Sequence, residues 1–492
     1  MFTACQQREI GVLERGDAWI DLVAGLTDDP YPWLLDSALE APPLGRFGFA
    51  GSDPYMVLRA YGRRIELERR RDVRPDLPAG PTVWDGDPLD ALRALLPPPP
   101  VEGFDATPPF IGGAVGYLGY ELAQHTLPIR AKAAEDPGIA DLAFLFVDQI
   151  LAFDLSTRRL VAIGLGFGAR PSDARRGAER RVEALRARCA RLPPRPTRAA
   201  VAPARAPLET SQHFDASSYP RRVEIVKEEI ARGNVYQANL THRIDVRFEG
   251  DAWQLYRSLR RANPAPFACF FALPELAIAG SSPERFLRID RERRVESRPI
   301  KGTRPRGRTP DEDAALAAEL FASEKERAEN VMIVDLVRND LGRVCETGSI
   351  AVPELLCVET YASVFQLVST VTGRLAADRD VVDALRATFP PGSMTGAPKI
   401  AAVRLLERLE PVRRGIYSGA IGYLDARGGA DLCVAIRSIF LRKGRAGVHV
   451  GGGIVFDSDP HAEYRETLDK ARALLEALAV PDPRAASLGP EA

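Results

Sequence analysis

Lys301 stands in the run Arg298-Pro299-Ile300-Lys301-Gly302-Thr303-Arg304-Pro305-Arg306-Gly307, between a Pro-Ile pair and a glycine that lets a ligand come close to the backbone. A lysine amine attacks carbon only after losing its proton, and nearby positive charge eases that loss. Arg298, Arg304 and Arg306 would supply such charge, which makes Lys301 a candidate nucleophile. Taken alone, the same string reads more simply as a solvated basic turn. Carboxylates offer a second chemistry. Thr309-Pro310-Asp311-Glu312 joins a capping hydroxyl, a proline suited to the first turn and an acid three residues on, so a helix is predicted to start there. Ser323 and Glu326 repeat the pattern. The helix they open sets Glu326, Glu329, Met332, Ile333 and Leu336 on one face. Acids that continue an apolar stripe need a cation or a hydrogen-bond donor. After Asp459-Pro460, a further predicted helix places Glu463, Glu466 and Lys470 together. Mg2+ takes hard oxygen ligands and keeps several waters, so one or two carboxylates from each helix would suffice; either helix by itself reads as solvated acids near an N-terminus.

Other residues suit an anionic substrate. Gly451-Gly452-Gly453 follows an apolar strand, and exposed amides there could cradle a carboxylate, with a bulge or tight strand end as the plainer reading. Arg437 is a charge inside an apolar, strand-like run, which points to a paired or ligand-facing guanidinium. The polar turn Gly392 to Lys399, containing Ser393 and Thr395, opens a helix at Pro398 and also suits an anion.

The elements that must position these groups are mixed helices and strands. Leu142–Val147 and Leu160–Ile163 read as antiparallel strands, Val235–Ile244 as another, and Leu432–Leu441 with Gly447–Val455 as a hairpin about Lys443-Gly444. Proline crowds Leu192–Leu208, predicting a linker at about 191–212 between an N-terminal unit (1–190) and a catalytic domain (213–480), with a frayed tail at 481–492. At 492 residues and 45% hydrophobic content the chain can bury a large core. Its 66 basic and 67 acidic residues leave no net field that favours nucleic acid or an anionic membrane. The six cysteines show no metal-binding spacing and fit a reduced, cytoplasmic setting, and no apolar run approaches the ~20 residues of a membrane span.

Ser281-Ser282-Pro283-Glu284, Pro299 to Thr303, Met332 to Asp340, Thr395 to Lys399 and Asp457 to Pro460 occur together and in order, and in this the chain resembles the chorismate-utilising enzymes. The resemblance implies an α+β fold in which two large antiparallel sheets form a sandwich around the active site with helices outside. It implies Mg2+ held by Glu329 and Glu466, with Glu326 and Glu463 as nearby or water-mediated partners. Substrate contacts carry over to Ser393, Thr395, Tyr417, Arg437, Gly451, Gly452, Gly453 and Lys470, and the general acid to Glu284. Pro32 to Ser37 and Gly45 to Phe47 resemble the N-terminal part of the anthranilate and aminodeoxychorismate branches, where the segment matching Leu34–Ser37 lines a tryptophan pocket. Gln237 stands where water-adding relatives carry a lysine. Lys301 stands where the anthranilate branch has alanine and the aminodeoxychorismate branch a lysine that attacks C2 of chorismate. That branch aminates C4 with ammonia made by a glutamine amidotransferase subunit, and no Gly-x-Cys-x-Gly nucleophile turn was found here that would make this chain its own ammonia source. Gln366 replaces a histidine of many relatives, and Gln offers neither acid nor base.

Overall fold

The computed structural model describes residues 1–13, 16–39, 44–74, 76–77, 82–101, 108–130, 138–191, 210–361 and 364–480. Two antiparallel sheets, twelve strands each among the described residues, face one another. Trp33, Phe49, Phe110, Val115, Ile150, Phe271 and Tyr423 fill the space between them. Helices cover the outer faces: Ile333, Val337 and Leu385 pack on one sheet, Leu255, Leu259, Leu474 and Leu475 on the other. The α+β sandwich expected from the sequence is the architecture found. No helix among the described residues is long and apolar enough to cross a membrane.

Strands from the N-terminal third are built into both sheets. Trp33–Asp36 pairs with Phe267–Leu273 in the first sheet, and Gly113–Leu118 pairs with Ala420–Asp425 in the second. Most of the linker (192–209) and the tail (481–492) lie outside the described residues; Thr210–Gln212 at the linker's end forms a short strand on Gln237–Arg247.

One expected strand is corrected. Leu432–Leu441 is not continuous: Ala430–Val434 belongs to the second sheet and Ser438–Arg442 to the first. The hairpin partner of Arg445–Ile454 is therefore only Ser438–Arg442. Its turn is Lys443-Gly444, both left-handed at φ 48° and 74°, the backbone that fits the strand twist.

Candidate active site

Two of the places where the chain passes from one sheet to the other lie side by side. Leu276–Ser282 ends in the first sheet and Arg285–Ile289 begins in the second; Ala430–Val434 leaves the second and Ser438–Arg442 enters the first. The two crossovers are stitched together. The Val434 N–H donates to the Glu284 carbonyl at 3.0 Å, the Ser282 hydroxyl to the Val434 carbonyl at 2.7 Å, and the Ser281 N–H to the Arg437 carbonyl at 3.0 Å. Arg437 makes its bend at φ 52°, so it sits between strands rather than within one. Glu284 occupies the other crossover and is buried at 5% exposure. Burial pushes its carboxyl up to about 7, against the opposing pull of the Ser393 hydroxyl, the Lys301 charge and the Ile300 N–H. A carboxylic acid that keeps its proton near neutrality can donate it.

Lys301 lies on Ile300–Pro305, at the end of the second sheet, and faces the glycine run. That run is strand interior rather than an open loop: Gly451, Gly452 and Gly453 pair with Thr241, Leu240 and Asn239. The expectation of free amides is corrected accordingly. What the glycines provide is room. A Cβ on Gly453 would collide with the Gln237 amide and stand 3.3 Å from Lys301 Nζ, and one on Gly452 would lie 3.0 Å from Glu463 Oε2. The cationic neighbourhood expected for Lys301 is also corrected. Arg298 pairs with Glu354 and Glu359, Arg304 with Glu319 and Glu326, and Arg306 with Asp313. The charges that act on Lys301, or feel it, are instead Glu284, Glu329 and Glu466.

The acids come from two helices whose caps follow the sequence. Ser323 accepts from the Glu326 N–H at the start of Glu324–Gly342, and Asp459 from the Ala462 N–H at the start of Pro460–Ala477. Glu329 accepts from Gln237 Nε2 at 3.0 Å. Glu463 accepts from the Ser458 hydroxyl at 2.6 Å and meets Lys325 Nζ at 3.3 Å. Glu466 pairs with Lys470 at 2.8 Å, and Glu326 with Arg304 at 3.7 Å. Burial raises the Glu329 carboxyl; Lys301 and Lys325 oppose this, and Glu326 and Glu463 add to it. The Lys470 charge holds Glu466 below its ordinary value. As placed, no three His, Cys, Asp or Glu side chains among the described residues converge on one point, and lysine ammonium groups stand among the acids. The donor chemistry still fits a hard dication: carboxylate oxygens from two helices, with repulsion that the lysines relieve only in part.

Arg437 donates to the Lys470 carbonyl at 3.1 Å, and Lys470 to the Gly451 carbonyl at 2.9 Å, which joins the arginine, the lysine and the glycine strand. The buried Tyr417 ring stacks on His449 at 4.7 Å and feels the Arg437 charge. Ser393 lines one small cavity with Glu284, whereas the Thr395 hydroxyl donates to the Gly392 carbonyl at 3.2 Å and shapes the loop itself. Gln366 lies opposite Thr303, and its Oε1 is buried with no hydrogen-bond partner among the described residues. Lys325 was missed by the sequence reading, although it precedes Glu329 by four residues, a spacing that places both on one helical face. Leu35, Asp36 and Ser37 line a separate cavity of about 1000 Å³ between the sheets, with Phe267, Arg285 and Tyr423.

Residues 50–476 match the chorismate binding enzyme family, and the chain belongs to it. It is 40% identical over 468 residues to an aminodeoxychorismate synthase of Streptomyces griseus, covering 94% of this chain and 63% of that protein, so it spans under two thirds of that relative's length. It is 39% identical over 473 residues to anthranilate synthase component 1 of Synechocystis sp., covering 92% and 91% of the two chains. The crystal structure of anthranilate synthase component I from Streptococcus pneumoniae TIGR4 superposes with a TM-score of 0.75 at 32% identity, covering 89% of this chain and 93% of that one.

Proposed function

We propose that this chain is the chorismate-aminating subunit of an aminodeoxychorismate synthase, converting chorismate and ammonia into 4-amino-4-deoxychorismate for folate synthesis. The observation that carries the reading is the placement of Lys301 in one cleft with Glu284, Glu329 and Glu466. The Lys301 amine forms a bond to C2 of chorismate while the ring double bonds shift and the C4–O bond breaks. Glu284 gives its proton to the departing hydroxyl, which leaves as water. Ammonia then bonds to C4, the double bonds shift back, and the C2–N bond breaks to free the lysine. Each half has its nucleophile already positioned, which removes most of the entropic cost of a bimolecular displacement.

Arg437 and Lys470 take substrate carboxylates, and Ser393 and Tyr417 border the ring. Thr395 keeps the Ser393 loop in shape, and the missing Cβ atoms of Gly451, Gly452 and Gly453 leave space for the ligand. Glu329 and Glu466, with Glu326 and Glu463 nearby or through water, would hold Mg2+, whose charge would bind the ring carboxylate of chorismate. Gln237 is engaged with Glu329 and has no basic group to activate water, which argues against hydration of the ring. Ammonia comes from a glutamine amidotransferase partner, and the cavity lined by Leu35, Asp36 and Ser37 is where tryptophan would bind.

Anthranilate synthase is the second reading, favoured by an identity to that enzyme of Synechocystis sp. that nearly equals the one to the Streptomyces griseus protein. Incubation with chorismate, Mg2+ and an ammonium salt separates the two. Formation of 4-amino-4-deoxychorismate supports the first, and anthranilate fluorescence with no added lyase rejects it. Without ammonia, intact-mass analysis is expected to show a substrate adduct that Lys301→Ala lacks.

A further inference from the structure

The loop that carries Ser393 is anchored by a buried ion pair that no step of the proposed reaction uses. Lys399, first residue of the helix Lys399–Leu409, buries its side chain. Its Nζ lies 2.6 Å from Asp340 Oδ2, 2.8 Å from the Thr388 carbonyl and 2.9 Å from the Pro390 carbonyl. All three ammonium protons are thereby used. Asp340 comes from the far end of the helix that bears Glu329, Thr388 ends the helix Val381–Thr388, and Pro390 opens the loop. On the loop's other side Arg414, paired with Glu410 at 2.7 Å, donates to the Met394 carbonyl at 2.7 Å. Ser393 is therefore bracketed by two buried cations. A cavity of about 20 Å³, room for one water, is lined by Glu284, Ser393, Asp340 and Thr388, so the acid and the ion pair face each other across a single solvent-sized space.

We propose that the Asp340–Lys399 pair is the latch that keeps the Ser393 hydroxyl on Glu284, which makes both of them positioning residues for the proton-donating step. The inference rests on the reading of Glu284 as general acid. An ammonium bound at three points fixes where helix, turn and loop meet, and so fixes how Ser393 faces Glu284 across the small cavity they share, a spacing whose interaction depends on a few tenths of an ångström. Removing one partner leaves the other charge buried and uncompensated. The groups that face Glu284 are Lys301 and the Ile300 N–H from the strand, Ser393 from the loop, and, across the cavity, Asp340 and Arg285, the latter already paired with Asp431 and Glu296. A slack loop weakens the Ser393 bond, and an uncompensated Asp340 adds negative charge. Both changes make Glu284 hold its proton to higher pH.

The test compares the wild-type chain with Lys399→Gln, Asp340→Asn and the double variant, using chorismate with saturating Mg2+ and ammonium salt. Lys399→Gln is expected to lower kcat about 10- to 100-fold, as sub-ångström misplacement of a reacting group does, with KM for chorismate moving much less. The high-pH limb of kcat is expected to move upward, and the double variant to be no worse than the poorer single one. A folded Lys399→Gln with wild-type kcat and pH limb overturns the proposal, as does a matched loss in kcat and kcat/KM with the limb unmoved. Asp340→Asn keeps the side chain's shape and, if Lys399→Gln does not fold, is expected to give the same loss in kcat, with the limb rising less than in Lys399→Gln because the unpaired Lys399 charge pulls it down; a folded Asp340→Asn with wild-type kcat then overturns the proposal, and collapse of both variants assigns the pair to the fold and overturns the latch. A wild-type chain that leaves chorismate untouched would instead refute the functional reading, whereas an active wild type with unaffected variants refutes the latch alone.

Discussion

Glu284 and Glu466 belong to one cleft, yet burial pushes the first up to about 7, while the Lys470 ammonium holds the second below its ordinary value. Glu284 sits on a sheet-to-sheet crossover with a hydroxyl and a backbone N–H for company. Glu466 sits on an exposed helical face, four residues from its lysine. The difference teaches that position in the fold, not residue type, sets the charge: one carboxyl keeps its proton near neutrality and the other is held as a negative charge, the division that the proposed mechanism uses.

The largest effect should come from removing the proton source. Glu284→Gln is expected to lower kcat by about 10²- to 10⁴-fold, the usual worth of a general acid, and steady-state product assays would show whether it does. Wild-type kcat should fall as pH rises through about 7, where Glu284 loses its proton. A pH–rate profile flat to pH 9 would break the comparison. Stability carries the same sign. The unfolded chain ionises this group near 4.5 and the folded chain near 7, so the folded state holds the extra proton between them and loses stability as pH rises. The cost above that window is about 3 kcal/mol, so Glu284→Gln should gain on wild type in thermal melts at pH 8 relative to pH 5.

On the other side, Glu466→Gln is expected to weaken Mg2+ binding, read by calorimetric titration, by at least the ~10-fold that even outer-shell partners of a metal cost. Unchanged affinity would detach Glu466 from the ion. The smallest effect sharpens the contrast without touching either carboxylate: Lys470→Met should let the Glu466 titration, followed by ¹³C NMR, rise toward its ordinary value, since the lysine is the first cause of its depression.

Local chemistry was readable from the sequence. The caps at Thr309, Ser323 and Asp459 and the turn at Lys443-Gly444 depend on side chains and backbone within a few residues, and all four are found. Partnerships made across the fold were not. Arg298 is neutralised by Glu354 and Glu359, more than fifty residues on, and no local pattern announces that. The break at Arg437 was hidden because apolar alternation looks alike whether a run stays in one sheet or switches to the next. The glycine run signalled space correctly, but its pairing with Asn239 to Thr241 decided that the space would hold side chains rather than bare amides. Lys399, in a segment that reads as an anion-binding turn, is instead locked on Asp340.

The twin crossovers have a mechanical consequence. Glu284 and Arg437 sit on two neighbouring crossovers that are hydrogen-bonded to one another, so each is tied to both layers at once. Their separation is therefore fixed by backbone bonds between the crossovers rather than by the spacing of the two sheets.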